Sequence, residues 1–140
     1  MTIYLDTSVL LAFVLEESGS EEVRNWLRRA RGPFIVSDLA RLEFSAVATR
    51  ETRTGRYTTG DATRALAIFD RLRGHSLPLR HSRADFDLAE AFLRDFETKL
   101  RAPDALHLAS ARNAHAAFAT LDLRLAEAGR AQGAEVVDFG

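Results

Sequence analysis

The sequence contains no cysteine, a single lysine and no long hydrophobic run. Without cysteine, the protein can form no disulfide bond, zinc–thiolate site or thiol nucleophile. The apolar run near the N-terminus, residues 9–15, is far shorter than the roughly 20 residues that a transmembrane helix needs. No basic segment precedes this run, so it lacks the pattern of a secretory signal. We therefore expect a cytoplasmic protein that does not associate with a membrane.

The charges of the chain are nearly balanced, with 19 Lys and Arg against 20 Asp and Glu and a net charge of -1. This balance disfavours a protein that binds nucleic acid through overall positive charge. All basic residues except Lys99 are arginine. Codon bias in a GC-rich genome explains this preference, and so does phosphate binding, because the guanidinium fork matches phosphate oxygens. The two explanations are compatible.

A chain of 140 residues is near the usual size of one domain. Scattered Gly and Pro, with no repeat or linker, predict a single domain over residues 1–140. Strands are predicted at residues 2–5, 34–37, 77–80, 116–119 and 135–137. Helices are predicted at residues 7–16, 20–31, 38–54, 59–74, 82–99, 104–115 and 122–132, with Ser20 and Ser82 as N-caps. This alternation predicts an α/β fold, a mostly parallel sheet with helices on both faces.

Two aspartates come at or just after the ends of predicted strands. Asp6 directly follows the first strand, and Asp122 follows the strand at 116–119 after a two-residue turn. In open parallel sheets, ligands bind beyond the carboxyl ends of the strands, so both residues are candidates for a functional site. Each also precedes a predicted helix, and helix capping explains either residue taken alone.

Glu43 is harder to explain as an ordinary surface residue. On the helix at 38–54 it shares an apolar stripe with Leu39, Ala46 and Val47. A carboxylate on an apolar face is costly unless it is paired or binds a metal. A buried Glu–Arg ion pair is the alternative explanation.

Asp104 lies in the first turn of its predicted helix, where the helix dipole favours an anion. Capping therefore accounts for Asp104 by itself, although it also begins an inward stripe with His107, Leu108 and Ala111. A lone histidine on an apolar face is more often a hydrogen-bonded core residue than a metal ligand. We expect that structural role for His107.

Four carboxylates gathered in one cleft would repel one another unless a cation balanced them. Mg²⁺ and Mn²⁺ take oxygen ligands and suit a site made only of carboxylates. Such an ion lowers the pKa of a bound water, and two ions ~4 Å apart can hold the attacking and leaving oxygens of a phosphoryl displacement. The residues therefore predict phosphodiester hydrolysis without a covalent intermediate.

Four segments of the chain resemble the signature segments of PIN domains, in order and with the expected spacing. They are YLDTSVLLA (4–12), SDLARLEFSAV (37–47), RAPDALHLASA (101–111) and FATLDLRLA (118–126). Among PIN domains, the chain looks most like the VapC-type toxins of bacterial and archaeal toxin–antitoxin modules. The resemblance implies the PIN-like fold, a parallel sheet sandwiched by helices in three α/β/α layers, and metal-dependent cleavage of RNA.

The resemblance also implies site residues and partners. Asp6, Glu43, Asp104 and Asp122 would bind Mg²⁺ or Mn²⁺, with Thr120 supporting the site. We expect Asp6 to be the central ligand, and Glu43 to be a ligand or the general base for the attacking water. The implied partners are a transfer, ribosomal or messenger RNA, a second copy in a homodimer, and a VapB-like antitoxin. The C-terminal segment of that antitoxin would cover the active site in a heterotetramer or larger assembly.

Other polar residues near these segments have two possible structural or functional roles each. Thr7 and Ser8 cap the helix behind Asp6, or Ser8 holds a ligand carboxylate or a bound water. Four residues at the end of the long helix either line a groove for RNA or antitoxin or form a solvated helix end. They are Arg50, Arg53, Arg56 and Tyr57.

Two other classes of protein lack support in this sequence, and a third remains an alternative. An aspartyl phosphatase has a second Asp two residues after its nucleophile, where this chain has Ser8. A phosphoacceptor signalling domain needs a lysine from a later strand end, whereas Lys99 belongs to a helix-terminal region. A catalytically silent PIN-fold module that binds RNA or protein is the remaining alternative.

Overall fold

The structure is a computed structural model that describes all residues from 1 to 140. Two helices follow each of the first three strands, and one helix follows the last. The strands are β1 (Ile3–Leu5), β2 (Phe34–Ser37), β3 (Leu77–Leu79) and β4 (Ala117–Ala119). The helices are α1 (Thr7–Val14), α2 (Ser20–Arg29), α3 (Asp38–Arg53), α4 (Thr59–Gly74), α5 (Arg83–Arg94), α6 (Ala102–Asn113) and α7 (Leu123–Ala131). None of these helices is long and apolar enough to span a membrane.

The four strands form one parallel sheet in the order β3-β2-β1-β4. In the register of the sheet, Tyr4 of β1 lies between Ile35 of β2 and Phe118 of β4. The chain proceeds from β1 outward to β2 and β3, and then returns to the opposite side of β1 as β4. The strand order therefore reverses between β1 and β4, and sites in open parallel sheets form beyond the carboxyl ends of the strands at such a point.

Successive residues of each strand point to opposite faces of the sheet, and each face is covered by helices. Leu5 and Val36 pack in one core with residues of α1, α2, α3 and α4. Tyr4 and Phe118 pack in the other core with residues of α5, α6 and α7. The predicted three-layer α/β/α arrangement is confirmed.

Three predictions about individual elements are wrong. Ser20 is not an N-cap, because Gly19 precedes α2 with a φ of 90° that favours glycine, and the Ser20 hydroxyl instead donates to the carbonyl of Leu15. The helix predicted at 82–99 ends at Arg94, since Asp95 takes an extended conformation. The strand predicted at 135–137 is reduced to one parallel bridge between Val136 and Phe118.

The buried face of α3 also differs from the predicted stripe. Ala40, Phe44 and Ala48 are buried, whereas Ala46 is exposed. The reason lies in the packing partner, because the Phe44 ring stacks on that of Phe69 in α4 with centroids 4.1 Å apart. This contact sets the rotation of α3 about its axis. Glu43 is consequently at the edge of the buried face, with its side chain 32% exposed.

Candidate active site

The four predicted acidic residues lie at the carboxyl edge of the sheet. Asp6 directly follows β1, and Asp122 follows β4 after a short turn. Glu43 lies in the second turn of α3, which starts where β2 ends. Asp104 lies in the first turn of α6, and α6 runs back across the sheet toward the start of β4. The topology of the fold therefore directs all four carboxylates to one end of the molecule.

Asp6 is a buried carboxylate that is held by only one of its oxygens. It is 3% exposed, and its Oδ1 accepts hydrogen bonds from the Ser8 hydroxyl at 2.6 Å and the Val9 amide at 3.2 Å. Oδ2 accepts no well-formed hydrogen bond, although the Thr120 hydroxyl is close enough to the carboxylate to lower its pKa. Burial raises the pKa of Asp6, and the hydroxyls of Ser8 and Thr120 oppose this rise only in part. A cation bound to Oδ2 would offset the cost of burying this charge.

Ser8 and Thr120 connect the end of β4 to Asp6. The Ser8 hydroxyl accepts a hydrogen bond from the Leu121 amide at 2.9 Å and lies 3.5 Å from the Thr120 hydroxyl. Thr120 is 4% exposed, and its hydroxyl accepts a hydrogen bond from the Asp122 amide at 3.1 Å. The two hydroxyls thus hold the turn that carries Asp122 against the turn that carries Asp6.

Asp122 is the N-cap of α7. Its Oδ1 accepts hydrogen bonds from the amides of Arg124 at 3.0 Å and Leu125 at 3.1 Å. Asp122 is an exposed residue, and no donor contacts its Oδ2. Capping, which the sequence offered as one explanation of Asp122, therefore occupies one oxygen and leaves the other available.

Glu43 is held by a histidine and a threonine, and no arginine hydrogen-bonds to it. Its Oε1 accepts a 2.7 Å hydrogen bond from the Thr7 hydroxyl and lies 2.5 Å from Nε2 of His107. Burial raises the pKa of Glu43, but hydrogen bonds from His107 and Thr7 and the charge of Arg101 outweigh it, so the pKa is lowered overall. Glu43 is therefore ionised at neutral pH.

His107 is a buried, hydrogen-bonded residue, as expected from the sequence. It is 2% exposed, and its Nδ1 lies 2.6 Å from the hydroxyl of the fully buried Tyr4. Sequence reasoning missed Tyr4 and treated Thr7 only as a capping residue. Tyr4 carried a usable signal, since a tyrosine inside a buried strand brings a hydroxyl that needs a partner.

The Asp104 carboxylate accepts no hydrogen bond within the protein. Its side chain is 22% exposed, and the Nε of Arg101 lies 3.8 Å from its Oδ2. No side chain caps α6, so the Asp104 carboxylate does not perform the capping role by hydrogen bonding. The Arg101 side chain is 87% exposed, which leaves a cation at the rim beside Asp104 and Glu43.

The basic residues at the end of α3 have an acidic partner of their own. Arg56 and Arg50 lie 3.1 Å and 3.8 Å from the carboxylate of Glu51. Arg50 is seven residues beyond Glu43 on the same helix, about 10 Å along the axis. A role for this helix end in binding RNA or antitoxin stays a prediction.

The chemistry of these carboxylates suits a hard divalent cation. In Asp6, Glu43 and Asp122, one carboxylate oxygen accepts hydrogen bonds and the other accepts none. Neither oxygen of Asp104 accepts a hydrogen bond. Carboxylate oxygens are the ligands that Mg²⁺ and Mn²⁺ prefer. No three acidic or histidine side chains are arranged so that they could hold a metal between them. The residues therefore fit a cation that takes one or two carboxylates and keeps several waters, as Mg²⁺ commonly does.

Comparison with known proteins gives the family. The PIN domain family matches residues 3–131. Ribonuclease VapC46 of Mycobacterium tuberculosis is 33% identical over 138 residues, which cover 96% of this chain and 95% of that protein. DNA-bound VapBC from Salmonella typhimurium has the same fold, with a TM-score of 0.74, 16% identity and coverage of 100% of this chain and 99% of that one. FitAcB from Neisseria gonorrhoeae has a TM-score of 0.69, 17% identity and coverage of 99% and 98%. The chain belongs to the PIN-domain family and is a VapC-type member of it.

Proposed function

We propose that this protein is a Mg²⁺- or Mn²⁺-dependent endoribonuclease that acts as the toxin of a VapBC-type toxin–antitoxin pair. The observation that carries this proposal is the set of four carboxylates at the switch point of the sheet, each with at least one oxygen free of hydrogen-bond donors. RNA is proposed as the substrate because a protein named Ribonuclease VapC46 aligns with nearly the whole chain.

Asp6, Glu43, Asp104 and Asp122 would hold the cation, directly or through water. When bound, a divalent cation supplies an acidified water and positive charge for the phosphate oxygens. The protein's contribution is to orient the carboxylates. Ser8 and Val9 bind Oδ1 of Asp6, which leaves Oδ2 as the oxygen that faces a ligand.

Glu43 is better suited to binding than to strong proton abstraction. Its pKa is lowered by His107 and Thr7 against the effect of burial, and an efficient general base has a pKa near the working pH. Its free Oε2 would therefore ligate the cation or orient the attacking water through a hydrogen bond.

Arg101 would contact the RNA backbone. Its guanidinium is exposed and only loosely paired with Asp104, so little is lost when it turns to a phosphate. Arginine binds phosphate oxygens in a bidentate geometry. A cation at this place would also offset the repulsion between the carboxylates and an incoming phosphodiester.

The remaining parts of the proposal concern assembly and location. The protein would act in the cytoplasm as a single domain over residues 1–140, form a homodimer, and assemble with a VapB-like antitoxin into a heterotetramer or larger complex. The antitoxin would inhibit cleavage by covering the carboxylates with its C-terminal segment.

The test compares the wild-type protein with Asp6→Asn, purified separately and mixed with total RNA and defined transfer RNAs. Wild type with Mg²⁺ or Mn²⁺ should cleave RNA, EDTA should stop the reaction, and Asp6→Asn should be inactive although folded. Expression of wild type, but not of Asp6→Asn, should arrest growth. Cleavage that survives EDTA, or equal effects of both proteins, would contradict the proposal and support a catalytically silent binding module.

A further inference from the structure

A chain of side-chain hydrogen bonds runs from the core of the sheet to Glu43. It starts at Tyr4 in the middle of β1, passes through both ring nitrogens of His107 in α6, and ends on Oε1 of Glu43 in α3. Thr7 of α1 donates to the same oxygen at 2.7 Å. Since α6 and α3 cover opposite faces of the sheet, the contact between His107 and Glu43 joins the two helical layers at its carboxyl edge.

The chemistry of the partners determines the direction of the hydrogen bond between His107 and Glu43. An ionised carboxylate only accepts hydrogen bonds, so Nε2 of His107 carries the proton that is directed at Glu43. On the other side of the ring, Nδ1 lies 2.6 Å from the Tyr4 hydroxyl, which donates to an unprotonated Nδ1 or accepts from a protonated one.

We propose that His107 is a positioning residue for the active site: with Tyr4 behind it, its Nε2–H holds Oε1 of Glu43 so that Oε2 alone faces the cation. The inference rests on the proposed function for its consequence in catalysis, but its geometry belongs to the protein alone. Groups that orient metal-binding carboxylates commonly change metal affinity or activity 10- to 100-fold when they are removed. We expect an effect in that range here.

His81 provides a matched structural histidine. Its Nε2 accepts a hydrogen bond from the Leu39 amide of α3 at 3.2 Å, and its Nδ1 lies 2.8 Å from the Ser110 hydroxyl of α6. His81 and His107 therefore join the same two helices, but His81 contacts no carboxylate. A variant at His81 reports the effect of loosening α3 from α6 without changing the donor to Glu43.

The experiment compares His107→Gln, His107→Asn and His81→Gln by Mn²⁺ affinity and by RNA cleavage. Glutamine places an amide N–H near the position of Nε2 and keeps the donor to Glu43, whereas asparagine reaches only the position of Nδ1. His107→Gln should stay within about threefold of wild type in both measurements, while His107→Asn loses about 10- to 100-fold. His81→Gln should lose stability but bind Mn²⁺ within about twofold of wild type.

A measurement on the metal-free wild-type protein does not depend on whether a variant folds. Long-range ¹H–¹⁵N spectra of the imidazoles should show a proton on Nε2 of His107. The opposite tautomer overturns the inference. So does equal Mn²⁺ affinity of His107→Gln and His107→Asn, or a loss in His81→Gln as large as that in His107→Asn. If wild type binds Mn²⁺ without cleaving RNA, and the glutamine and asparagine variants differ as expected, the proposed function fails and the inference stands.

Discussion

The hydroxyl of Ser8 donates a hydrogen bond of 2.6 Å to Oδ1 of Asp6. The same hydroxyl accepts a hydrogen bond of 2.9 Å from the Leu121 amide, just beyond β4. A serine hydroxyl has one proton, so the carboxylate receives it and the backbone amide supplies the other contact. Asp6 is thereby oriented from both sides of the switch point.

Asp6→Asn should make the metal-free protein more stable at pH 7 while abolishing cleavage. Burial raises the pKa of Asp6 above its ordinary value of 3.8, so ionising it in the folded state costs free energy that asparagine does not incur. Urea unfolding between pH 4 and 8 measures the difference. The advantage of asparagine should shrink as the pH falls through the raised pKa, because Asp6 is then protonated in the folded wild type.

Asp87, which is exposed on α5, is the control for that comparison. Asp87→Asn should change the free energy of unfolding little at any pH in the range. If Asp6→Asn were less stable than wild type at pH 7, or if its advantage did not depend on pH, the buried charge would not be the cause.

Asp122→Asn should separate capping from catalysis. Asparagine caps helices about as well as aspartate, so the free energy of unfolding should stay within about 0.5 kcal/mol, whereas Asp122→Ala should lose about 1 kcal/mol. Both variants should cleave RNA more slowly than wild type, because both lack the free carboxylate oxygen. Full activity in Asp122→Asn would leave Asp122 with the capping role alone.

Arg101→Ala should weaken RNA binding in a manner that depends on salt. Loss of one phosphate contact lowers the slope of log K against log salt by about 0.7 for single-stranded RNA. Binding is measured with an RNA that carries a non-cleavable linkage, between about 50 and 200 mM salt. Arg130→Ala, at the end of α7 and the opposite edge of the sheet, is the matched control. An unchanged slope in Arg101→Ala would remove Arg101 from the RNA contact.

Protonation of His81 should destabilise the folded protein as the pH falls below 6.5. Burial lowers the pKa of His81 below its ordinary value of 6.5. The unfolded chain therefore binds a proton first, so stability is complete above pH 6.5 and is lost as the pH falls to the lowered pKa. Protonation would also place a proton on Nε2, where the Leu39 amide now donates.

The measurement for His81 is the free energy of unfolding between pH 5 and 8. His81→Gln should lose the part of the pH dependence that belongs to this window. His75→Gln, at an exposed histidine that ends α4, should retain it. Identical pH profiles for wild type and His81→Gln would show that Leu39 and Ser110 do not depend on the neutral ring.

The sequence predicted the order of the elements because each is a local pattern. Short apolar strands and amphipathic helices are recognised within about 5 to 15 residues, and parallel strands bring their carboxyl ends to one edge. Asp6 and Asp122 could therefore be placed in a common region from their distance to strand ends alone. The terminal strand failed because its pairing with Phe118 amounts to one bridge, which local pattern does not measure.

Glu43 shows the limit of the same reasoning. Its conflict with an apolar helix face was visible in the sequence, but its partner His107 is 64 residues away. The rotation of α3 depends on the stacking of Phe44 on Phe69, which exposes Ala46 and moves Glu43 to the edge of the buried face. The periodicity of a helical sequence predicts neither the contact of Glu43 with His107 nor the stacking of Phe44 on Phe69.

By itself, the sequence determined the residue types at the edge of the sheet, the absence of thiol chemistry and the alternation that makes the sheet parallel. Only the tertiary structure decided which oxygen of each carboxylate is bound by a donor, that His107 rather than an arginine holds Glu43, and that Tyr4 lies behind it. The physical reason is that hydrogen bonds at this site join side chains from different elements, such as Tyr4 and His107, which lie 103 residues apart. Their geometry exists only after both helical layers have packed on the sheet.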